Sequence, residues 1–237
     1  DDEIAAAAIL YIEGYLWDAE DAKAASRKAM AAARKAGRRV ALSLSDAFCV
    51  GRFRNEFLGL LERDVAILFA NEDETKALFQ EESFEAAAKK LQAWGGIAAV
   101  TRGEKGCVVI QGSAVHHVPA APVTRVLDTT GAGDQFAAGF LFGLTREKSL
   151  EDCGRLGVLA AAEVIDGHGA GAGGGAIGAA DHFHHAAFDH RTHRQLDRLQ
   201  GAFADRGVEE VGAEKVEDAG RNLAADDLLL VGNHIHQ

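Results

Sequence analysis

The first 170 residues carry short, nearly all-apolar runs separated by stretches whose apolar positions recur at helical spacing. Residues 1–8 read as the end of a helix, and residues 8–12 as a buried strand closed by Gly14. Asp18, with Asp21 three residues on, predicts a helix cap, and Gly37 the end of that helix. Residues 39–44 form the next predicted strand, Ser45-Asp46 a loop, and residues 52–62 a helix. The run 65–70 is almost wholly apolar, as expected of a strand covered on both faces. Asn71 and Glu74 have capping-box spacing for the helix that follows, and Ser83 starts another that ends at Trp94. Residues 97–101 and 107–110 read as strands, and Gln111-Gly112-Ser113 turns into a hairpin partner over 114–118. Residues 124–127 can end as a strand, Gly131-Ala132-Gly133 turns the chain, and 134–144 is a helix with Phe136, Phe140 and Leu144 in register. Ser149 and Asp152 cap the last predicted helix, whose run 156–165 packs through small residues. This alternation predicts an α/β fold with a mostly parallel sheet and helices on both faces.

Composition narrows the picture only in places. The 237 residues suit one α/β domain, or one domain with an extension, and a hydrophobic content of 48% is ample for a core. A net charge of −11, with no basic stripe, argues against nucleic acid as a partner. Cys49, Cys107 and Cys153 lie far apart without metal spacing, which reads as reduced thiols in a cytoplasmic protein. No apolar run approaches the roughly 20 residues of a membrane span, and the start lacks the basic region of a signal peptide.

The chemistry concentrates in residues 126–144. A glycine turn opening a helix presents unpaired backbone N–H groups at the positive end of the helix dipole, an anion site for which phosphate is the usual guest. Asp134 is the odd residue, because its carboxylate repels a phosphate already in the turn. Two readings fit: an acid placed in the first helical turn by the dipole, or a base that takes the proton of a hydroxyl attacking phosphorus. Neither common phosphate fingerprint applies, since no Lys-Ser/Thr follows the glycines and Phe136 stands where a third glycine belongs. Asn71 and Glu74 also read two ways, as a capping box and as polar groups at a strand's carboxyl end, where open α/β sheets bind ligands. Thr101-x-Gly103-x-x-Gly106 alone is an ordinary turn.

The longer string Asp128-Thr-Thr-Gly-Ala-Gly-Asp-x-Phe-x-x-Gly-Phe140 resembles the second signature of the ribokinase-like (phosphofructokinase B) family of sugar and nucleoside kinases. The resemblance implies a three-layer α/β/α fold and a kinase using ATP and Mg²⁺. It implies that Asp134 is the catalytic base and that the amides of Gly131, Ala132, Gly133 and Asp134 form the anion hole for the transferred phosphoryl. Asn71 and Glu74 then match its magnesium-linked Asn-x-x-Glu motif, with the ion held through water. Thr101, Gly103 and Gly106 match a segment lining the ATP phosphates and ribose, and Asp128 and Thr130 fall where the family holds a monovalent cation such as K⁺. The stretches 13–18 and 44–49 look like the bacterial adenosine-kinase-like branch. The implied activity is phosphorylation of a primary hydroxyl of a nucleoside or sugar, with adenosine first, in a chain compatible with a homodimer. The rival reading is a fragment that binds nucleotide and turns nothing over.

Two departures from the family shape the expected domain organisation. Its N-terminal segment, with the first sheet strands, a lid and a Gly-Gly substrate motif, has no counterpart here, so residues 1–170 read as the C-terminal part of the kinase domain with a raw sheet edge near residues 9–12. Residues 171–237 read as an atypical tail, glycine-rich and then histidine-rich, partly disordered or helical over 181–200, with little tertiary packing beyond. His182 with His185, and His190 with His193, have helical spacing that can mount a metal, but no cysteine accompanies them and no metal site is expected.

Overall fold

In a computed structural model of the chain, the described residues are 2–166 and, for the backbone, 228–231. A short helix α1 (Asp2–Ala6) leads into strand β1 (Ile9–Glu13), a 3₁₀ turn (Gly14–Asp18) and helix α2 (Glu20–Lys35). There follow β2 (Arg39–Ser43), α3 (Ala47–Arg63), β3 (Ile67–Asn71), α4 (Glu72–Phe79), α5 (Phe84–Trp94) and β4 (Ile97–Thr101). The hairpin β5 (Cys107–Gln111) and β6 (Ala114–Val118) precedes α6 (Ala132–Thr145), α7 (Leu150–Ile165) and a last strand β7 (Leu228–Val231).

The strands form one seven-stranded sheet in the order β6-β5-β4-β3-β2-β1-β7. From β7 to β4 all neighbours are parallel; β5 and β6 run antiparallel. Side chains alternate between two cores, as a strand period of two requires. Leu10, Ile12, Val40, Leu42, Leu68, Val100 and Ile110 face a core shared with α2 to α5. Ile9, Tyr11, Ala41, Ile67, Phe69, Ala99 and Val109 face the other, with α6 and α7. The result is three layers, α/β/α, as the sequence pattern implies.

Helices α6 and α7 meet at small residues. A Cβ on Gly139 would lie 2.6 Å from the Leu156 carbonyl oxygen, and one on Gly157 would lie 2.7 Å from the Phe136 ring. The close approach lets Phe136 and Phe140 reach Phe69 of β3, with ring centroids 6.3 and 5.5 Å away in edge-to-face geometry.

Several local expectations change. Helix α3 starts at Ala47, not near Arg52, because the Asp46 carboxylate accepts the Cys49 N–H at 2.7 Å and caps it. Asp18 caps nothing: α2 begins after Ala19 without a side-chain cap, and Asp18 instead pairs with Arg52 of α3. Residues 124–127 are not a strand. The loop is tied to the end of α7, where the Asp166 carboxylate accepts from the Thr124 and Arg125 N–H groups and Leu127 N–H donates to the Ile165 carbonyl. The edge at residues 9–12 is not raw, since β7 pairs along it in register from Ile9↔Leu228 to Ile12↔Val231. Of the residues beyond 200, where little packing is expected, the described ones are 228–231, which pair with β1. The expected helix over 181–200, the glycine-rich joint and the histidine pairs lie outside the described residues.

Gly139→Ala is expected to lower stability by about 1–3 kcal/mol through overpacking, outweighing alanine's better helix propensity. Gly51→Ala, inside α3 with open space around its Cβ position, should raise it by about 0.5–1 kcal/mol. Urea denaturation of both variants measures the contrast.

Candidate active site

Parallel strands bring their carboxyl ends to one edge of the sheet, the edge at which open α/β sheets bind ligands. Here β1, β3 and β4 end in Glu13, Asn71 and Thr101. Asn71 and Thr101 are register partners and so stand side by side.

Asn71 opens α4 in a complete capping box. Its side-chain oxygen accepts the Glu74 N–H at 2.8 Å, while the Glu74 carboxylate accepts the Asn71 backbone N–H at 2.9 Å and the Asn71 side-chain N–H at 2.6 Å. Burial pushes the Glu74 carboxyl up to about 7, opposed by the hydrogen bond from the Asn71 backbone. The structural reading of this pair is therefore realised. Hard oxygen donors at a strand end also fit a water-mediated Mg²⁺, which bonds oxygen and keeps several of its waters.

The next loop is fixed by its own backbone. Arg102 N–H donates to the Gly106 carbonyl at 2.8 Å, and Gly106 N–H donates back to Gly103 at 3.0 Å. Gly106 sits at φ 85, and a Cβ there would lie 2.0 Å from the Val118 carbonyl oxygen, so packing alone demands this glycine. Arg102 Nε donates to Glu72 at 2.7 Å and its guanidinium lies 4.1 Å from the Phe84 ring centroid, which ties this loop to the starts of α4 and α5. The Arg102 hydrogen bond holds the Glu72 carboxyl below the usual range.

On the opposite face of the sheet, Gly131 adopts the left-handed conformation, φ 76, and caps α6. Gln135 N–H makes the helix's bond to the Gly131 carbonyl at 3.0 Å, so Ala132 and Gly133 precede it in the turn where amides lack helical acceptors. Of these, Ala132 N–H already donates to the Thr129 carbonyl at 3.1 Å. The Asp128 carboxylate accepts the Thr130 N–H at 2.9 Å, and Thr130 holds the Asp128 carboxyl low. Asp128 therefore presents an ionised oxygen beside the Thr130 hydroxyl, a donor set that fits a hard monovalent cation. Among the described residues no group of three or more His, Cys, Asp or Glu could hold a metal ion unaided.

Asp134 lies exposed in the first turn of α6. Its charge acts on Tyr11, Glu13 and Tyr15, which places the start of α6 at the carboxyl end of β1. Burial first, and Asp134 second, push the Glu13 carboxyl up to about 7, while the Tyr15 hydroxyl donates to it and opposes the shift. Glu13 was not among the residues singled out from the sequence. An acid ending an otherwise apolar strand, just before Gly14, is the signal that could have found it.

The fold and this edge define a class: an open three-layer α/β protein with two helix starts, α4 and α6, on opposite faces of one carboxyl edge. Residues 1–174 match the pfkB family carbohydrate kinase model, and the chain belongs to that family. Its structure is similar to the adenosine kinase from Sinorhizobium meliloti, with TM-score 0.68 and 48% identity over 69% of this chain and 50% of that one. It is equally similar to a probable sugar kinase from Rhizobium etli, with TM-score 0.67 and 48% identity over 68% and 49%. By sequence, 41% of 115 residues match the cytidine kinase of Thermococcus kodakarensis, 47% of this chain and 41% of that protein. The chain thus spans half or less of the length of each of these relatives.

The raised Glu13 carboxyl gives a signed expectation. With a folded value of about 7 above the unfolded one, the acid's penalty on folding is absent at low pH, grows as pH rises from about 4.5 to 7, and is constant above. Glu13→Gln, which can still accept from Tyr15, should therefore melt close to the parent protein at pH 4 and clearly above it at pH 8. Thermal scans at the two pH values decide; an equal difference at both would remove the titration from the account.

Proposed function

We propose that residues 1–170 carry the nucleotide half of a kinase that moves the γ-phosphoryl of ATP to a primary hydroxyl of a nucleoside or sugar. The observation that carries it is the start of α6: a left-handed Gly131 opens the helix, and an exposed Asp134 sits in its first turn at the carboxyl edge. Asp134 takes the proton of the attacking hydroxyl, and the amides of Gly131, Ala132, Gly133 and Asp134 receive the charge of the phosphoryl. For Ala132 this requires its N–H to leave the Thr129 carbonyl. Asn71 and Glu74 hold Mg²⁺ through water, and the ion neutralises phosphate charge when bound. Thr101, Gly103 and Gly106 line the nucleotide, and Asp128 and Thr130 hold K⁺. Three buried free thiols, Cys49, Cys107 and Cys153, agree with a cytoplasmic setting.

Adenosine is the first choice of acceptor from the Sinorhizobium meliloti protein. The equal identity to a probable sugar kinase keeps ribose and fructose in the test. A second reading, a half site that binds nucleotide without turnover, is favoured by the coverage, since phosphoryl transfer depends mainly on positioning the acceptor and excluding water.

Calorimetry with ATP and steady-state phosphorylation of adenosine, cytidine, ribose and fructose separate the two. The kinase reading expects transfer to one acceptor, falling on the order of 10²–10⁴-fold in Asp134→Asn while ATP affinity stays within a few-fold. ATP binding with no transfer to any acceptor selects the half site. Full activity in Asp134→Asn would remove Asp134 from the chemistry.

A further inference from the structure

Arg102 stands where three elements meet. It follows β4, and its backbone closes the turn into β5: its N–H donates to the Gly106 carbonyl, and its carbonyl accepts the Lys105 N–H at 3.1 Å. Its side chain leaves that loop and reaches the starts of two helices. Nε donates to Glu72 of α4 at 2.7 Å, and a second guanidinium nitrogen lies 3.9 Å from Glu85 of α5. The guanidinium carbon lies 4.1 Å from the ring centroid of Phe84, itself buried, and the Arg102 side chain is only 15% exposed. Lys105, from the same loop, brings its Nζ within 3.8 Å of the same Glu72 oxygen.

Folding gains little from this convergence. The loop is already shaped by its own backbone bonds and by the pairing of Thr101 with Cys107. Helix α4 is already capped by Asn71. An ion pair this near solvent adds little to stability, and fixing an arginine costs rotamer freedom. What the side chain adds is the placing of the loop against the first turn of α4. One of these segments carries Thr101, Gly103 and Gly106, the other Asn71 and Glu74, and Asn71 and Thr101 are register partners at their base.

We infer that Arg102 is a positioning residue: it sets the spacing between the loop 101–106 and the turn 71–74, so that one ligand, a nucleotide's phosphates with their Mg²⁺, reaches both. The inference rests on the nucleotide reading proposed above. Phosphoryl-transfer sites are sensitive to displacements of about 1 Å. The task also asks for arginine, whose planar fork pairs with a carboxylate while its face lies on a ring; lysine's ammonium is a single point charge.

Calorimetry of ATP binding to the full chain tests it, with Mg²⁺ and again with the ion chelated by EDTA. The proteins are the parent, Arg102→Gln, Arg102→Lys and Glu72→Gln. With Mg²⁺ each variant should bind ATP about tenfold or more weakly, and without it, where nucleotide engages the loop alone, each should stay within about threefold of the parent. Hydrogen exchange at the Gly106 and Cys107 amides should match the parent, because the loop's own bonds are untouched. Glu72→Gln carries the same test should an Arg102 variant fail to fold.

Equal losses with and without Mg²⁺, or faster exchange at Gly106, would mean that the loop itself was disturbed, and would overturn the inference. Parental affinity in Arg102→Lys or in Glu72→Gln would overturn it as well. ATP binding absent from the parent too would instead remove the nucleotide reading, and the inference with it.

Discussion

One aromatic contact sets the spacing of the whole candidate site. Phe69 of β3 meets Phe140 of α6 edge-on at 5.5 Å between centroids and Phe136 at 6.3 Å. Phe69 lies two residues before Asn71, and Phe136 two residues after Asp134. The cluster therefore fixes the distance between a strand end on one side and a helix start on the other, and it does so through rings that are nearly fully buried. It forms only because Gly139 and Gly157 let α6 and α7 approach until a single Cβ would collide. Small residues on two helices thus decide where an acid on the sheet edge stands.

That edge is crowded with acids in a chain of net charge −11, and the protein handles them unequally. Glu72 is held ionised by Arg102, and Asp128 by Thr130. Glu74 is buried and Glu13 half-buried, and both carboxyls rise to about 7, so near neutral pH each carries only part of a charge. Two half-charged acids put less negative charge at that edge than two fully ionised ones would. Asp134 lies exposed in the helix's first turn, where the dipole favours an acid.

Much of this was legible in the sequence, and for identifiable reasons. Strands buried on both faces announce themselves as apolar runs, so β1 to β6 fall close to where the pattern puts them. The Asn71 capping box is local chemistry and formed as spelled, while Ser149 caps α7 by accepting the Asp152 N–H, its hydroxyl donating to the Asp152 carboxylate. Glu13 escaped because its importance comes from α6, more than a hundred residues away, whose Asp134 meets it only after folding. The start of α3 was misplaced because Asp46 was read as loop, although it caps that helix. Residues 124–127 have strand-like composition, yet Asp166 takes the Thr124 and Arg125 N–H groups and the Ile165 carbonyl that of Leu127, and Val126 and Leu127 are left exposed. The strand at 228–231 was hidden by the foreign composition around it, although its four apolar residues satisfy the pattern applied elsewhere.

The structure also sorts the signature residues by how much of each it explains. Gly106 is required by the Val118 carbonyl, Gly131 by its left-handed backbone, and Asn71 with Glu74 by the need to cap α4. Each would be kept in a protein that bound nothing. Asp134 is different. The helix dipole favours an acid in its position by only about 0.3–1 kcal/mol, and the nearby Glu13 works against it. The kinase reading proposed above uses Asp134 as its base.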